Sequence, residues 1–256
     1  MPLIVEYAAA TDLGSVRDHN EDSLLLPSKV IAGVPRFQSD EVISMPVTAP
    51  LMFAVADGMG GHASGEDASR YVLERIANHP DQFVSGPLAQ TAMTETHHSL
   101  NRLGLETGRK GMGTTLVLLS VGPETAYVLN IGDSRCYRVR SYAAQLTRDH
   151  SLQAQTGDSS VAKNIITSCV GGGTPDMTID IFDQTDKVLP GDVYVLCSDG
   201  LMDGGISEDM LEEKLSAPDA DLKTATRGLV KAAIDGGSQD NVTVVVVRVK
   251  EMGTST

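Results

Sequence analysis

Residues 51–62 have the sequence LMFAVADGMGGH, an apolar run that stops at an aspartate and a glycine. Short apolar runs that end at turn-forming residues are typical of buried β-strands. A carboxylate at the end of such a strand is costly to bury unless a cation pairs with it. No lysine or arginine stands beside Asp57 in the sequence, so we interpret this strand end as a site for a metal cation.

The same arrangement occurs twice more in the second half of the chain. Asp199 follows the apolar run at 193–197 (VYVLC), and Asp240 precedes the β-branched run at 241–249 (NVTVVVVRV). A single Asp-Gly pair is an ordinary turn former. Three aspartates at strand ends, together with the triplet Asn20-Glu21-Asp22, favour one shared acidic site.

The residue types at this site indicate which ion it would bind and which chemistry it would support. Glycines follow two of the aspartates, at Gly58 and Gly200, and let the backbone approach closely enough for a main-chain carbonyl to act as a ligand. Oxygen ligands without a neighbouring Cys or His cluster favour Mg²⁺ or Mn²⁺ over zinc. Two such ions would lower the pKa of a bridging water and clamp a phosphoryl group. Arg17, near the triplet, has the planar guanidinium that holds phosphate oxygens.

The remaining pattern predicts one α+β domain that spans residues 1–256. Strands follow one another through short turns and helices arrive in pairs, which favours antiparallel sheet over a βαβ repeat. The predicted strands are 3–10, 51–56, 114–121, 125–131, 136–140, 143–147, 177–183, 193–197 and 241–249. The predicted helices are 65–78, 87–105, 207–215 and 221–235. Residues 27–50 are predicted as a loop with room for an edge strand.

Two neighbouring histidines, His97 and His98, lie on the second predicted helix without a partner in the sequence pattern. We interpret both as solvated.

Composition excludes several classes of partner. The 34 acidic residues outnumber the 20 basic ones and give a formal charge of −14, which disfavours nucleic acid as a partner. The longest apolar runs are too short to cross a bilayer, and the first residues show no signal-peptide pattern. We therefore expect a cytoplasmic monomer that binds neither nucleic acid nor membrane.

The three cysteines fit neither a disulfide framework nor a cysteine nucleophile. Their number is odd and no CxxC spacing occurs, which also excludes the usual structural zinc site. A cysteine-dependent phosphatase needs an arginine at a fixed distance after the cysteine, but those positions hold Tyr142, Pro175 and Asp203.

An ordered set of short motifs resembles the PPM family, the type 2C protein phosphatases, in its bacterial form. Each motif is weak alone, but the set runs in family order over nearly the whole chain. The motifs are Arg17-Asp18-His19-Asn20-Glu21-Asp22, Asp57-Gly58-Met59-Gly60-Gly61-His62, Gly113-Thr114-Thr115, Gly132-Asp133-Ser134-Arg135, Ser198-Asp199-Gly200-Leu201 and Asp240-Asn241.

The resemblance implies a fold of two stacked antiparallel β-sheets flanked by helices, with two Mg²⁺ or Mn²⁺ ions in a cleft at one end. By this carry-over Asp57 bridges both ions and the Gly58 carbonyl binds the second. Asp199 and Asp240 hold the first ion, while Glu21 and Asp22 act through metal-bound waters. Arg17 binds the substrate phosphate, and Asp133 joins Asp199 at the third ion that bacterial members can bind.

The implied activity is hydrolysis of phosphoserine and phosphothreonine in proteins by direct attack of water, opposing a eukaryotic-like Ser/Thr kinase. The sequence departs from the eukaryotic pattern at Met59, where many members have a histidine proposed as the general acid. The flap beside the active site corresponds to 155–173, is shorter than in typical bacterial members, and includes the similar stretch Asn164-Ile165-Ile166-Thr167. The alternatives are an inactive scaffold or binding module of the same fold, and an ordinary acidic domain with incidental Asp-Gly turns.

Overall fold

The computed structural model describes residues 3–27, 29–61, 63–158, 160–162 and 165–251. These residues form two antiparallel β-sheets with helices on their outer faces, as the resemblance implied. The strands are β1 Leu3–Asp12, β2 Asp22–Leu26, β3 Lys29–Ile31, β4 Arg36–Gln38, β5 Ile43–Pro46, β6 Leu51–Met59, β7 Gly113–Thr114, β8 Leu116–Val121, β9 Ala126–Ile131, β10 Arg135–Val139, β11 Ala143–Gln145, β12 Val170–Gly171, β13 Asp180–Asp183, β14 Val193–Cys197 and β15 Val242–Glu251. The helices are α1 Ala63–Asn78, α2 Gly86–Glu106, α3 Leu152–Thr156, α4 Asp199–Asp203, α5 Glu208–Leu215 and α6 Leu222–Asp235, with a 3-10 turn at Pro80–Phe83.

The first sheet has the strand order β11-β10-β14-β15-β1-β4, and β5 also pairs with β1. Its longest contact joins β1 to β15 in an unbroken register from Leu3 opposite Glu251 to Asp12 opposite Val242. This pairing brings the turn that contains Asp240 next to the chain that leaves β1.

The second sheet has the order β12-β7-β6-β8-β9-β13, and β2 pairs with both β6 and β3. Strand β6, the run with which the sequence analysis began, is central and fully apolar up to Ala56. Its register with β2 sets Asp22 directly opposite Asp57. Each sheet therefore has acidic residues at the ends of its strands: Asp22 and Asp57 in the second sheet, and Asp240 beside the first.

Side chains of alternate residues divide between an inner core and two outer ones. Tyr7 and Phe53 lie between the sheets, with ring centroids 5.1 Å apart in an edge-to-face contact. Ala54 and Ala56 face the other way and pack beneath α1 and α2. Val244 and its neighbours on β15 alternate in the same manner, with the outward ones covered by α5 and α6. Burial on both faces explains why these strands have continuous apolar runs rather than alternating ones.

Several predicted elements differ from those observed. Residues 27–50 contain three strands, β3 to β5, which are short edge strands of the kind that tolerates proline. Strand β2 and helices α3 and α4 were not predicted, because each is only five residues long. The predicted strand 114–121 is observed as β7 and β8, which both pair with β6 but have different partners on the other side, β12 for β7 and β9 for β8.

His97 is not solvated, in contrast to the exposed His98. Its Nδ1 accepts a hydrogen bond from the Gly171 N–H at 3.0 Å, and its Nε2 lies 3.0 Å from the Thr174 carbonyl oxygen. The imidazole thereby attaches residues 171–174, at the end of the flap, to α2. Among the described residues, no helix combines the length and apolarity needed to cross a membrane.

Replacing Phe53 with alanine tests the inner core. Phe53 is fully buried, so Phe53→Ala should lower the free energy of unfolding by about 3–5 kcal/mol. Leu88→Ala on the exposed face of α2 is the matched control and should change it by less than about 0.5 kcal/mol. Urea denaturation followed by circular dichroism measures both, and equal losses would contradict the assignment of the core between the sheets.

Candidate metal centre

Both sheets contribute carboxylates to one acidic cluster. Asp22 and Asp57 come from the second sheet, where they face each other across β2 and β6. Asp199 begins α4, one residue after β14, and interacts electrostatically with Asp57. Asp240, in the turn before β15, and Asp133, between β9 and β10, both interact electrostatically with Asp57. The structure therefore brings together all the aspartates that the sequence analysis assigned to metal binding.

Desolvation and mutual repulsion destabilise the charged forms of these carboxylates. Loss of hydration raises the pKa of Asp22 and of Asp133 to about 7, and nearby aspartates add to both shifts. The same two causes raise the pKa of Asp199 to about 6 and that of Asp57 well above its usual range. Like charges held this close ionise together only if a cation compensates them.

Unpaired oxygen atoms in the cluster fit such a cation. One carboxylate oxygen each of Asp22, Asp133 and Asp199 is buried and has no hydrogen-bond partner among the described residues. Buried polar atoms are normally satisfied, so three unpartnered carboxylate oxygens in one cluster suit the binding of a cation. In the part of the chain that the structure describes, no three His, Cys, Asp or Glu side chains are grouped to hold an ion by themselves. Mg²⁺ is commonly bound by one or two carboxylates with water and other oxygens completing its octahedron, so this donor set suits it.

The position of Asp57 is set by hydroxyl groups on neighbouring strands. Its N–H donates to Thr115 Oγ1 at 3.0 Å, and its carbonyl oxygen accepts from the Thr115 N–H and the Thr114 hydroxyl, both at 2.8 Å. Thr115 Oγ1 also lies 2.7 Å from Ser134 Oγ. The Gly-Thr-Thr and Gly-Asp-Ser motifs are therefore part of the frame that holds this aspartate.

Two asparagines hold the acidic triplet by its backbone. Asn241 Oδ1 accepts from the Glu21 N–H at 2.9 Å, while Nδ2 of the same amide donates to the carbonyl oxygens of Leu13 and His19. Asn20 Oδ1 accepts from the Asp22 N–H at 3.2 Å. The segment between β1 and β2 is therefore tied to the turn before β15.

Ser198 links the two sheets at the cluster, a role that the sequence analysis missed. Its hydroxyl donates to Asp22 Oδ2 at 2.8 Å and accepts from the Thr243 N–H at 3.0 Å. The only sequence signal was its place directly before Asp199 in a recognised motif.

The glycines after Asp57 and Asp199 are required by close backbone packing. A Cβ on Gly58 would lie 2.1 Å from the Gly65 carbonyl oxygen, and one on Gly200 would lie 2.1 Å from the carbonyl oxygen of Asn241. The Gly58 N–H also donates to the Glu21 carbonyl oxygen at 3.2 Å. Glycine therefore allows the start of α1 and the turn before β15 to close onto the acidic strand ends.

Arg17 reaches the cluster across the fold, although no basic residue adjoins the aspartates in sequence. Its guanidinium forms an ion pair with Asp240, with 2.6 Å between Nη2 and Oδ2, and half of its side chain stays exposed.

The remaining motif residues are placed as follows. Glu21 lies beside Gly65, where a Cβ added to Gly65 would come within 2.8 Å of the Glu21 carboxylate. Met59 ends β6, while His62 and Asn164 of the recognised motifs lie outside the described residues.

Comparisons with known proteins identify the same family. A family model described as Protein phosphatase 2C matches residues 42–227. The serine/threonine protein phosphatase PstP of Mycobacterium tuberculosis is 30% identical over 96% of this chain, which spans 45% of the length of PstP. The serine/threonine phosphatase stp of Listeria monocytogenes is 30% identical over 93% of both chains.

A solved structure shows the same architecture. The catalytic domain of PstP in complex with two manganese ions superposes with a TM-score of 0.75 at 30% identity. The alignment covers 97% of this chain and 100% of that domain.

A methyl group at Gly58 should disrupt the centre. Gly58→Ala places Cβ against the Gly65 carbonyl oxygen, so we expect a loss of about 3 kcal/mol in the free energy of unfolding. Gly228→Ala in α6 meets no atom within 4 Å and should instead stabilise by about 0.5–1 kcal/mol. Chemical denaturation distinguishes the two, and a neutral Gly58→Ala variant would refute the packing argument.

Proposed function

Because the chain belongs to the protein phosphatase 2C family, we propose that it hydrolyses phosphoserine and phosphothreonine in proteins with the help of Mg²⁺ or Mn²⁺. The observation that carries the proposal is the convergence of carboxylates from both sheets, three of which have a buried oxygen without a partner. The manganese-bound structure of PstP supports divalent cations as the cofactor.

The acidic residues divide by role in this proposal. Asp57 and the Gly58 carbonyl would hold one ion, and Asp57, Asp199 and Asp240 the other. Asp133 and Asp199 would form a third position, while Glu21 and Asp22 would act through water. When bound, the ions would supply a low-pKa water and electrophilic stabilisation of the phosphoryl group; water would attack phosphorus directly as the bond from phosphorus to the serine or threonine oxygen breaks.

Arg17 is proposed to bind the phosphate of the substrate. Its ion pair with Asp240 places a half-exposed guanidinium at the edge of the cluster, where two of its N–H groups can meet two phosphate oxygens. The thioether side chain of Met59 has no acidic proton, so the leaving alkoxide must take its proton from another group or from solvent.

The substrates are proposed to be phosphoproteins made by a cognate Ser/Thr kinase. The names of the relatives, serine/threonine protein phosphatases, support the substrate class, and the acidic composition disfavours nucleic acid. We also propose a monomer that acts in the cytoplasm. An inactive scaffold would be expected to lack one of the acidic positions, yet all of them are filled.

Removing one charge at Asp57 should abolish turnover. We expect Asp57→Asn to lower Mn²⁺-dependent release of phosphate from a phosphothreonine peptide by at least about 100-fold, because each proposed ion would lose an anionic ligand. The matched control is Asp209→Asn, which changes an exposed aspartate on α5 and should retain full activity. Activity that survives both Asp57→Asn and a chelator, or none at any Mn²⁺ concentration, would refute the proposal.

Arg17 can be tested separately by steady-state kinetics. Arg17→Met should reduce kcat/KM for the peptide by about 10-fold or more, mainly through KM, because a charged hydrogen bond to phosphate is lost. Arg17→Lys should retain part of the kcat/KM that Arg17→Met loses, because lysine keeps the positive charge but lacks the paired N–H donors of the guanidinium. Arg102→Met, an exposed arginine on α2, serves as control. Unchanged kinetics in Arg17→Met would exclude phosphate binding by this residue.

A further inference from the structure

A cavity separate from the metal centre lies on the outer side of the first sheet, between α6 and the strands β1 and β4. Its volume is about 550 Å³, large enough for a small organic molecule. None of the aspartates assigned to the metal centre lines it. The apolar part of its wall comes from Ala10, Phe37, Val230 and Ile234.

The charged residues of the cavity leave one cation without an anionic partner. Arg36 pairs with Asp12 at 2.8 Å, and Lys231 pairs with Asp235 one helical turn later on α6. The third cation is Arg227, for which no described carboxylate forms an ion pair. The cavity therefore carries a net positive charge in a chain whose overall charge is −14.

Arg227 also has an unused hydrogen-bond donor. The side chain is half-buried, and its Nη2 donates to the Ser39 carbonyl oxygen at 3.3 Å. Its Nε–H is buried and has no partner in the part of the chain that the structure describes. An anionic group in the cavity would neutralise the charge of Arg227, which lines its wall.

We propose that this cavity binds an amphipathic organic anion, a carboxylate or phosphate group on an apolar body of a few carbon atoms. The anionic group would pair with Arg227, and the apolar body would cover Phe37, Val230 and Ile234. A cationic molecule would not pair with Arg227, and a purely polar one would not cover the apolar wall. The inference concerns a site lined by none of the metal-centre aspartates and does not depend on phosphatase activity.

The cavity wall is connected to the metal centre by hydrogen bonds. Thr11, part of that wall, lies 2.6 Å from the Thr243 hydroxyl and accepts from Asn20 Nδ2 at 2.9 Å. The Thr243 N–H donates to Ser198, which in turn donates to Asp22. Asp12 in the same wall accepts from the Gly14 N–H, at the start of the loop that carries Arg17. Binding in the cavity is therefore expected to change the surroundings of the Asn20 and Thr243 amide groups.

The experiment is a titration of the ¹⁵N-labelled protein, in the presence of Mg²⁺, with octanoate, octyl phosphate and octylammonium. Both anions should shift the amide signals of Phe37, Val230 and Ile234 and, to a smaller extent, those of Asn20 and Thr243. Comparison of the two anions distinguishes a carboxylate from a phosphate ligand, and octylammonium should leave all these signals unchanged.

Variants of Arg227 decide whether the charge is responsible. Arg227→Met should weaken anion binding by about 10-fold or more, because a charge-assisted hydrogen bond is lost, and Arg227→Lys should retain part of it. Arg102→Met is the matched control and should bind as the unmodified protein does. The proposal is overturned if neither anion shifts the cavity signals, if octylammonium binds equally well, or if folded Arg227→Met binds with unchanged affinity.

Discussion

Electrostatic repulsion among aspartates is the constraint around which this fold is built. Asp57 stands in the field of Asp22, Asp133, Asp199 and Asp240, in a region where desolvation already disfavours charge. Without a cation such a cluster opposes the packing of the two sheets against each other. The apolar interface around Tyr7 and Phe53 must therefore supply the stabilisation that keeps the acidic edge closed.

Neutral hydrogen bonds hold the aspartates in position without cancelling their charge. Thr115, Asn241 and Ser198 use hydroxyl and amide groups to fix backbone atoms or a single carboxylate oxygen, and leave other oxygens unpaired. Arg17 is the exception, because it neutralises Asp240 at the exposed rim. A frame of this kind preorganises the ligands and keeps the negative potential that a divalent cation requires.

The sequence was sufficient to predict the strands that end at Asp57 and Asp199 and the one that follows Asp240, but not β2, which carries Asp22. Asp57 and Asp199 follow uninterrupted apolar runs, and that local pattern survives in any fold that buries the strands. Contacts between distant residues were not predictable in this way. Asn241 forms hydrogen bonds with Leu13, His19 and Glu21, which lie more than 200 positions earlier in the chain. The ion pair between Arg17 and Asp240 likewise joins the two ends of the chain. His97 is buried because the segment 171–174 folds over it, which nothing in its helical neighbourhood indicates.

The pairing of β1 with β15 has a consequence for how the protein is made. Strand β15 lies between β14 and β1, so the first sheet has a gap at its centre until residues 242–251 have left the ribosome. Until then the Glu21 backbone lacks Asn241, and the acidic cluster lacks Asp240. A nascent chain can form the second sheet with α1 and α2 early, because their contacts lie within residues 22–183. Folding of the centre is then a late event with high contact order, and the acidic cluster is completed by Asp240 only when β15 pairs with β1.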